Sequence, residues 1–116
     1  MKITSMNYSM KCDEAIKCVF NLNSLDLNVY KKLKQLGPLR ANELANHLNK
    51  ERSTVYRSLQ KLSKCGICSK KTKTLDHGGY YHEYQLNSID TIQKKAKNCL
   101  DNWYSTVSQT LNQLKD

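Results

Sequence analysis

"RANELANHLNKERSTVYRSLQKLSKCGI", residues 40–67, is the stretch on which the rest of the chain turns. Leu44, Ala45 and Leu48 recur at helical spacing in its first part, and Val55, Leu59 and Leu62 do so in its second. Asn49 and Lys50 lie between the two runs, and Asn tolerates the left-handed backbone that a tight interhelical turn needs. The spacing predicts one helix over about Ala41 to Leu48 and another over about residues 52–65. On the second helix, at about 100° per residue, Leu59 and Leu62 fall within about 40° of Val55. Ser53, Arg57, Gln60 and Lys64 fall near the opposite pole, flanked by Tyr56 and Lys61. Such a helix is either a packing element with a polar back or one whose outer face touches something.

Charge separates these readings. The chain has 116 residues and a net charge of +9. Residues 31–73 hold twelve Lys and Arg against only Glu43 and Glu51, while the remainder is close to neutral. A surplus gathered in mid-chain suits a polyanionic partner, although a solvated basic surface has the same composition. A merely solvated helix face mixes acids with bases, and this one has no acid after Glu51. Arg can read guanine bidentately, Gln can read adenine, and hydroxyls can hold phosphates.

Outward from this stretch, the flanks read as more helix, a hairpin and a last long helix. A short helix covers about residues 12–20, with Ile16, Val19 and Phe20 inward. The next starts near Ser24, taken as its cap, carries Leu25, Val29, Leu33 and Leu36, and stops at Gly37-Pro38. Gly66 suits a left-handed C-terminal cap for the helix of residues 52–65. Residues 67–74 and 80–86 read as two strands around a Gly78-Gly79 tip, with Tyr80, His82, Tyr84 and Leu86 sharing one face and His82 opposite Lys73. From Ser88 to Lys115 helical periodicity returns through Ile89, Ile92, Ala96, Cys99, Leu100, Trp103, Val107, Leu111 and Leu114. A helix of that length, roughly 42 Å, is too long for so small a body to cover. A second copy is the expected cover, making those nine residues a dimer interface.

Two helices, a short turn, a third helix and a basic hairpin make a winged helix-turn-helix. "LNVYKKLKQLGPLRANELANHLNKERSTVYRSLQKLSKCGI" (residues 27–67) resembles the DNA-binding domain of archaeal TrmB-type regulators, relatives of MarR-type repressors. The resemblance extends from about Cys12 through Leu86, and "LDNWYSTVSQTL" (residues 100–111) is similar to the dimerisation helix of short single-domain members. It implies a mainly α fold with a small β-hairpin: a winged helix-turn-helix domain over residues 1–87 and a dimerisation helix over residues 88–116. It also implies DNA contacts from Ser53, Thr54, Tyr56 and Arg57. Arg40, Arg52, Gln60, Lys61 and Lys64, with Lys70, Lys71 and Lys73 of a basic wing, complete the expected contact set.

Two positions depart from the pattern. Arg40 stands where the family places Ser or Thr, losing a cap but setting a cation at a helix start. Glu51 stands where a small polar residue is usual; it suits the helix dipole and would repel a nearby phosphate. Full-length relatives also carry a sugar-binding domain, which the resemblance does not reach, so no sugar-sensing role is carried over.

Five cysteines invite a metal or redox reading, above all Cys65 and Cys68 in "CGIC". Active CxxC thiols sit at helix N-termini, whereas these lie at a C-terminus, where the dipole disfavours the thiolate. Cys12 and Cys18 are six apart, which suits neither i+3 nor i+4. Cys65, Cys68 and Cys99 therefore read as small apolar residues, with Cys99 the exception worth watching because two copies could meet there. His47, His77 and His82 show no triad or metal spacing. No paired carboxylates, nucleophile elbow, phosphate-binding glycine loop or HExxH motif occurs, so no enzyme, cofactor or metal is expected. Without a long apolar run or a signal-peptide pattern, a cytoplasmic protein is expected. The sequence points to a homodimer on double-stranded DNA, regulating transcription as a repressor, and identifies no small-molecule effector. A basic architectural protein with little sequence preference shares its composition, and a protein-docking winged helix would need a neutral or acidic outer face.

Overall fold

The computed structural model describes residues 11–114, which form five helices and one antiparallel hairpin. The order is α1 (Cys12–Val19), α2 (Ser24–Leu36), α3 (Ala41–Leu48), α4 (Arg52–Lys64), β1 (Cys68–Thr74), β2 (Tyr80–Leu86) and α5 (Ile89–Asn112). Helices α2 and α3 pack on α4, and the hairpin closes the other side of the same core. Leu44, Val55, Leu59, Leu62 and Ile67 are wholly buried there, with Val29, Leu33 and Tyr84 around them. The two apolar runs of residues 40–67 thus meet each other, as their spacing demanded.

The punctuation residues act as expected. Asn49 is left-handed, at φ 54° and ψ 47°, and turns the chain between α3 and α4. Gly66, at φ 82°, ends α4. There the Ile67 N–H donates to the Leu62 carbonyl and the Gly66 N–H to the Ser63 carbonyl, a Schellman pair that seats Ile67 beside Leu62 in the core.

Four details differ from the sequence expectations. The cap of α2 is Asn23, not Ser24: its side chain accepts from the Asp26 N–H at 2.8 Å, and Asp26 accepts from the Asn23 N–H at 3.0 Å. Only Asn23 has an acid three residues on, so the reciprocal capping box selects it. The hairpin register sets His82 opposite Thr72 rather than Lys73, because the Leu75 N–H donates to the Gly79 carbonyl and closes a turn one residue tighter. Leu39 forms an unexpected backbone bridge to Tyr84, at 3.0 and 2.8 Å, and so extends the hairpin by one short edge. Finally, α5 ends at Asn112, about 36 Å from its start; the expected end at Lys115 lies outside the described residues.

Ser88 caps α5 by accepting from the Thr91 N–H at 3.2 Å. The helix lies against α1, burying Ile92 and half-burying Ala96 and Cys99. Ile92 is therefore core rather than seam, a correction to its expected place in a dimer interface. Beyond Cys99 the stripe continues uncovered: Leu100, Trp103, Leu111 and Leu114 are each at least half exposed. The described residues extend over 68 × 28 × 27 Å, a long axis set by this protruding helix.

Candidate nucleic-acid interface

Helix α4 is held from beneath and bare above. Val55, Leu59 and Leu62 fix its inner face, whereas Arg52, Ser53, Tyr56, Arg57, Gln60 and Lys64 are exposed and Thr54 is half-buried. Gln60 Nε2 donates to the Tyr56 hydroxyl at 3.2 Å, one helical turn away, so these two polar groups are already paired on the surface. Glu51 occupies the N-cap position without capping through its side chain; its carbonyl accepts from the Thr54 and Val55 N–H groups. The first turn of α4 holds no acid.

Lys61 departs from the expected set. Its ammonium is 2.8 Å from Asp26 Oδ2 and 3.1 Å from the Asn21 carbonyl, which commits it to the protein itself. Asp26 is only 2% exposed and also accepts from the Ser58 hydroxyl at 2.6 Å. Burial pushes its pKa up, but the hydrogen bonds from Lys61, Ser58 and the Asn23 N–H, with the lysine's charge, outweigh burial and hold it below the usual Asp value. The buried acid and Ser58 were not among the expected site residues. The one signal available was the Asn23–Asp26 capping spacing, which says nothing of Lys61.

The wing is exposed from Lys70 to Tyr80. Strand alternation divides its cations between faces. Lys71 and Lys73 share one face with their partners Glu83 and Tyr81, while Lys70 shares the other with Tyr84. The three lysines therefore do not form one patch. On the His82 side, the Thr72 hydroxyl lies 3.2 Å from His82 Nδ1. Arg40 stacks over the Tyr81 ring at 4.3 Å from its centroid, tying the start of α3 to the wing. Its backbone N–H donates to Glu43 Oε1 at 2.8 Å, so α3 keeps half of the capping box that Arg40 was expected to lose.

Burial pushes the Cys65 and Cys68 thiols up from their usual range, and the Cys68 sulfur contacts the Ser63 hydroxyl at 3.3 Å. Among the described residues no group of three or more His, Cys, Asp and Glu is placed to hold a metal ion. No described helix is long and apolar enough to cross a membrane.

A three-helix core, a basic hairpin and an outward polar helix define the winged helix-turn-helix class of DNA-binding protein. The chain belongs to the TrmB family: the family model described as sugar-specific transcriptional regulator TrmB matches residues 16–90. It is a DNA-binding transcriptional regulator. A possible transcriptional regulator from Methanosarcina mazei Go1 has a similar structure, at 29% identity and a TM-score of 0.75, covering 92% of this chain and 91% of that one. A structure assigned to the MarR family, from Enterococcus faecalis V583, shares the fold at 22% identity and a TM-score of 0.55, over 98% and 94% of the two chains. Two uncharacterized proteins of Methanocaldococcus jannaschii are 29% and 26% identical over 89% and 90% of this chain, and 78% and 86% of their own lengths.

Proposed function

We propose that this regulator is a sequence-specific homodimeric repressor that lays α4 in the major groove and its wing on the backbone or minor groove. The observation that carries this reading is the outer face of α4, exposed, free of acid after Glu51 and mixed in hydrogen-bonding type. Arg57 and Gln60 are suited to base edges, while Ser53, Thr54 and Tyr56 are suited to phosphates or bases. Arg52, Lys64, Lys70, Lys71 and Lys73 supply sequence-independent attraction, and Arg40 acts through the wing's orientation. Dimerisation is supported by the uncovered second half of the α5 stripe. Two copies joined there would present two α4 helices to half-sites about 10 bp apart, or a multiple of that. Occupying such a site at a promoter would block access to it, which is the basis for repression.

Selection from a random duplex pool at near-physiological salt tests the proposal. A two-fold motif should be enriched, and the selected duplexes should keep tight binding as salt rises. Binding without enrichment, with affinity collapsing steeply in salt, would instead identify an architectural DNA-coating protein.

A further inference from the structure

Asp26 lies directly under α4 and grips it at two points, through the Ser58 hydroxyl and the Lys61 ammonium. Lys61 is one turn beyond Arg57 and two beyond Thr54. These three residues, with Asn23, Leu25, Asp26 and Ser58, line one cleft of about 230 Å³ between the start of α2 and α4. Without Asp26, the four-carbon stem of Lys61 could swing its charge along the face that carries Arg57.

We infer that Asp26 is a specificity-determining residue that withholds Lys61 from DNA phosphates. A lysine on a phosphate binds every sequence alike, whereas an arginine on a base edge discriminates. Cancelling Lys61 with a buried carboxylate removes indiscriminate attraction next to Arg57 and leaves discrimination intact. The Ser58 bond on the other carboxylate oxygen keeps the acid aimed at α4. The inference rests on the DNA-facing assignment of α4 made above.

The slope of log affinity against log salt reads the number of phosphates neutralised, about 0.9 for each on duplex DNA. It is a readout that loss of fold rigidity alone would not move by one contact. Asp26→Asn should retain the cap at Asn23, free Lys61 and steepen the slope by about 0.9, with the ratio of selected to random duplex affinity falling. The charge-balanced double variant Asp26→Asn/Lys61→Met should return to the wild-type slope. A double variant flatter than wild type by about 0.9 would overturn the inference, because Lys61 would then already be on a phosphate. An unchanged slope in a folded Asp26→Asn protein would overturn it equally. Should the single variant fail to fold, the double variant, which leaves no unpaired buried charge, still decides. Absence of any salt-dependent duplex binding by the wild-type protein would bring down the DNA-facing reading of α4 itself, and this inference with it.

Discussion

Trp103 is the side chain on which dimerisation should depend most. It is 63% exposed in the second half of α5, among Leu100, Val107 and Leu111 on the same stripe. A tryptophan presents about 250 Å², so about 150 Å² of it faces water. Covering that area is worth about 4 kcal/mol at about 25 cal/mol per Å². An alanine keeps a little of this, and ordering the interface costs some, which leaves about 2–3 kcal/mol per copy. A two-fold dimer holds two copies, so Trp103→Ala should weaken self-association by about 4–6 kcal/mol, or about a thousand- to twenty-thousand-fold in Kd. Sedimentation over a concentration series measures this directly. The variant should be monomeric where the wild type is dimeric, with unchanged helicity, since the first half of α5 remains docked through Ile92. Equal self-association of the two proteins would refute the assignment of this stripe. So would a wild type that stays monomeric at high micromolar concentration.

Three further outcomes follow from the geometry. Arg57→Ala should cost about 1–3 kcal/mol on the selected duplex and relax preference at one base pair, whereas Lys71→Ala should weaken all duplexes alike and flatten the salt slope; equal effects of both on every sequence would rule out direct readout by Arg57. Gly66→Ala should lower stability to urea by about 1–2 kcal/mol, since φ is +82° and the new Cβ would sit 2.8 Å from Lys95 Cγ. Lys95→Ala in that background should recover only the contact, not the backbone cost. The lowered pKa of Asp26 means that its contribution is complete above the ordinary Asp value, about 3.9, and is lost as pH falls through the folded value. Thermal melts of Asp26→Asn should accordingly fall less steeply than wild type below about pH 4.

What could be read in the sequence was what repeats or what stops. Leu44 to Leu62 follow a period, and Gly37-Pro38, Asn49 and Gly66 interrupt it, so α2 to α4 were placed within a residue or two of where they lie. What could not be read were single pairings at long range. Leu39 bonds Tyr84 across 45 positions, and one residue of strand has no period to announce it. Lys61 belongs by composition to a basic face, and nothing local shows that Asp26, 35 residues earlier, takes its charge. The wing shows a third limit: Lys70, Lys71 and Lys73 are close in sequence, but the pleat turns adjacent residues to opposite faces, so nearness along the chain does not say which of them share a face.

The α5 stripe carries one period over two different tasks, and the boundary between them bears on mechanism. Ile92, Ala96 and Cys99 spend the first half of the stripe on the helix's own domain, while Leu100, Trp103 and Leu111 leave the second half bare. Within the first half, the aliphatic stem of Lys95 lies beside Gly66, the residue that ends α4. Asn87, just before α5, also holds this corner: its Nδ2 donates to the Gly66 carbonyl at 2.8 Å and its N–H to the Ile67 carbonyl at 2.9 Å, so the start of α5 is bonded to the end of α4. In a dimer joined through the exposed half, the crossing angle of the two α5 helices would therefore set the distance between the two α4 helices, and with it the spacing of half-sites that can be bound together. Changes at Trp103 would alter how tightly copies join, whereas changes at Lys95 or Gly66 would alter which spacing they accept. These effects separate cleanly in a panel of duplexes differing only in half-site separation: a shifted optimum is expected for variants at Lys95 or Gly66, and a uniform loss for Trp103→Ala.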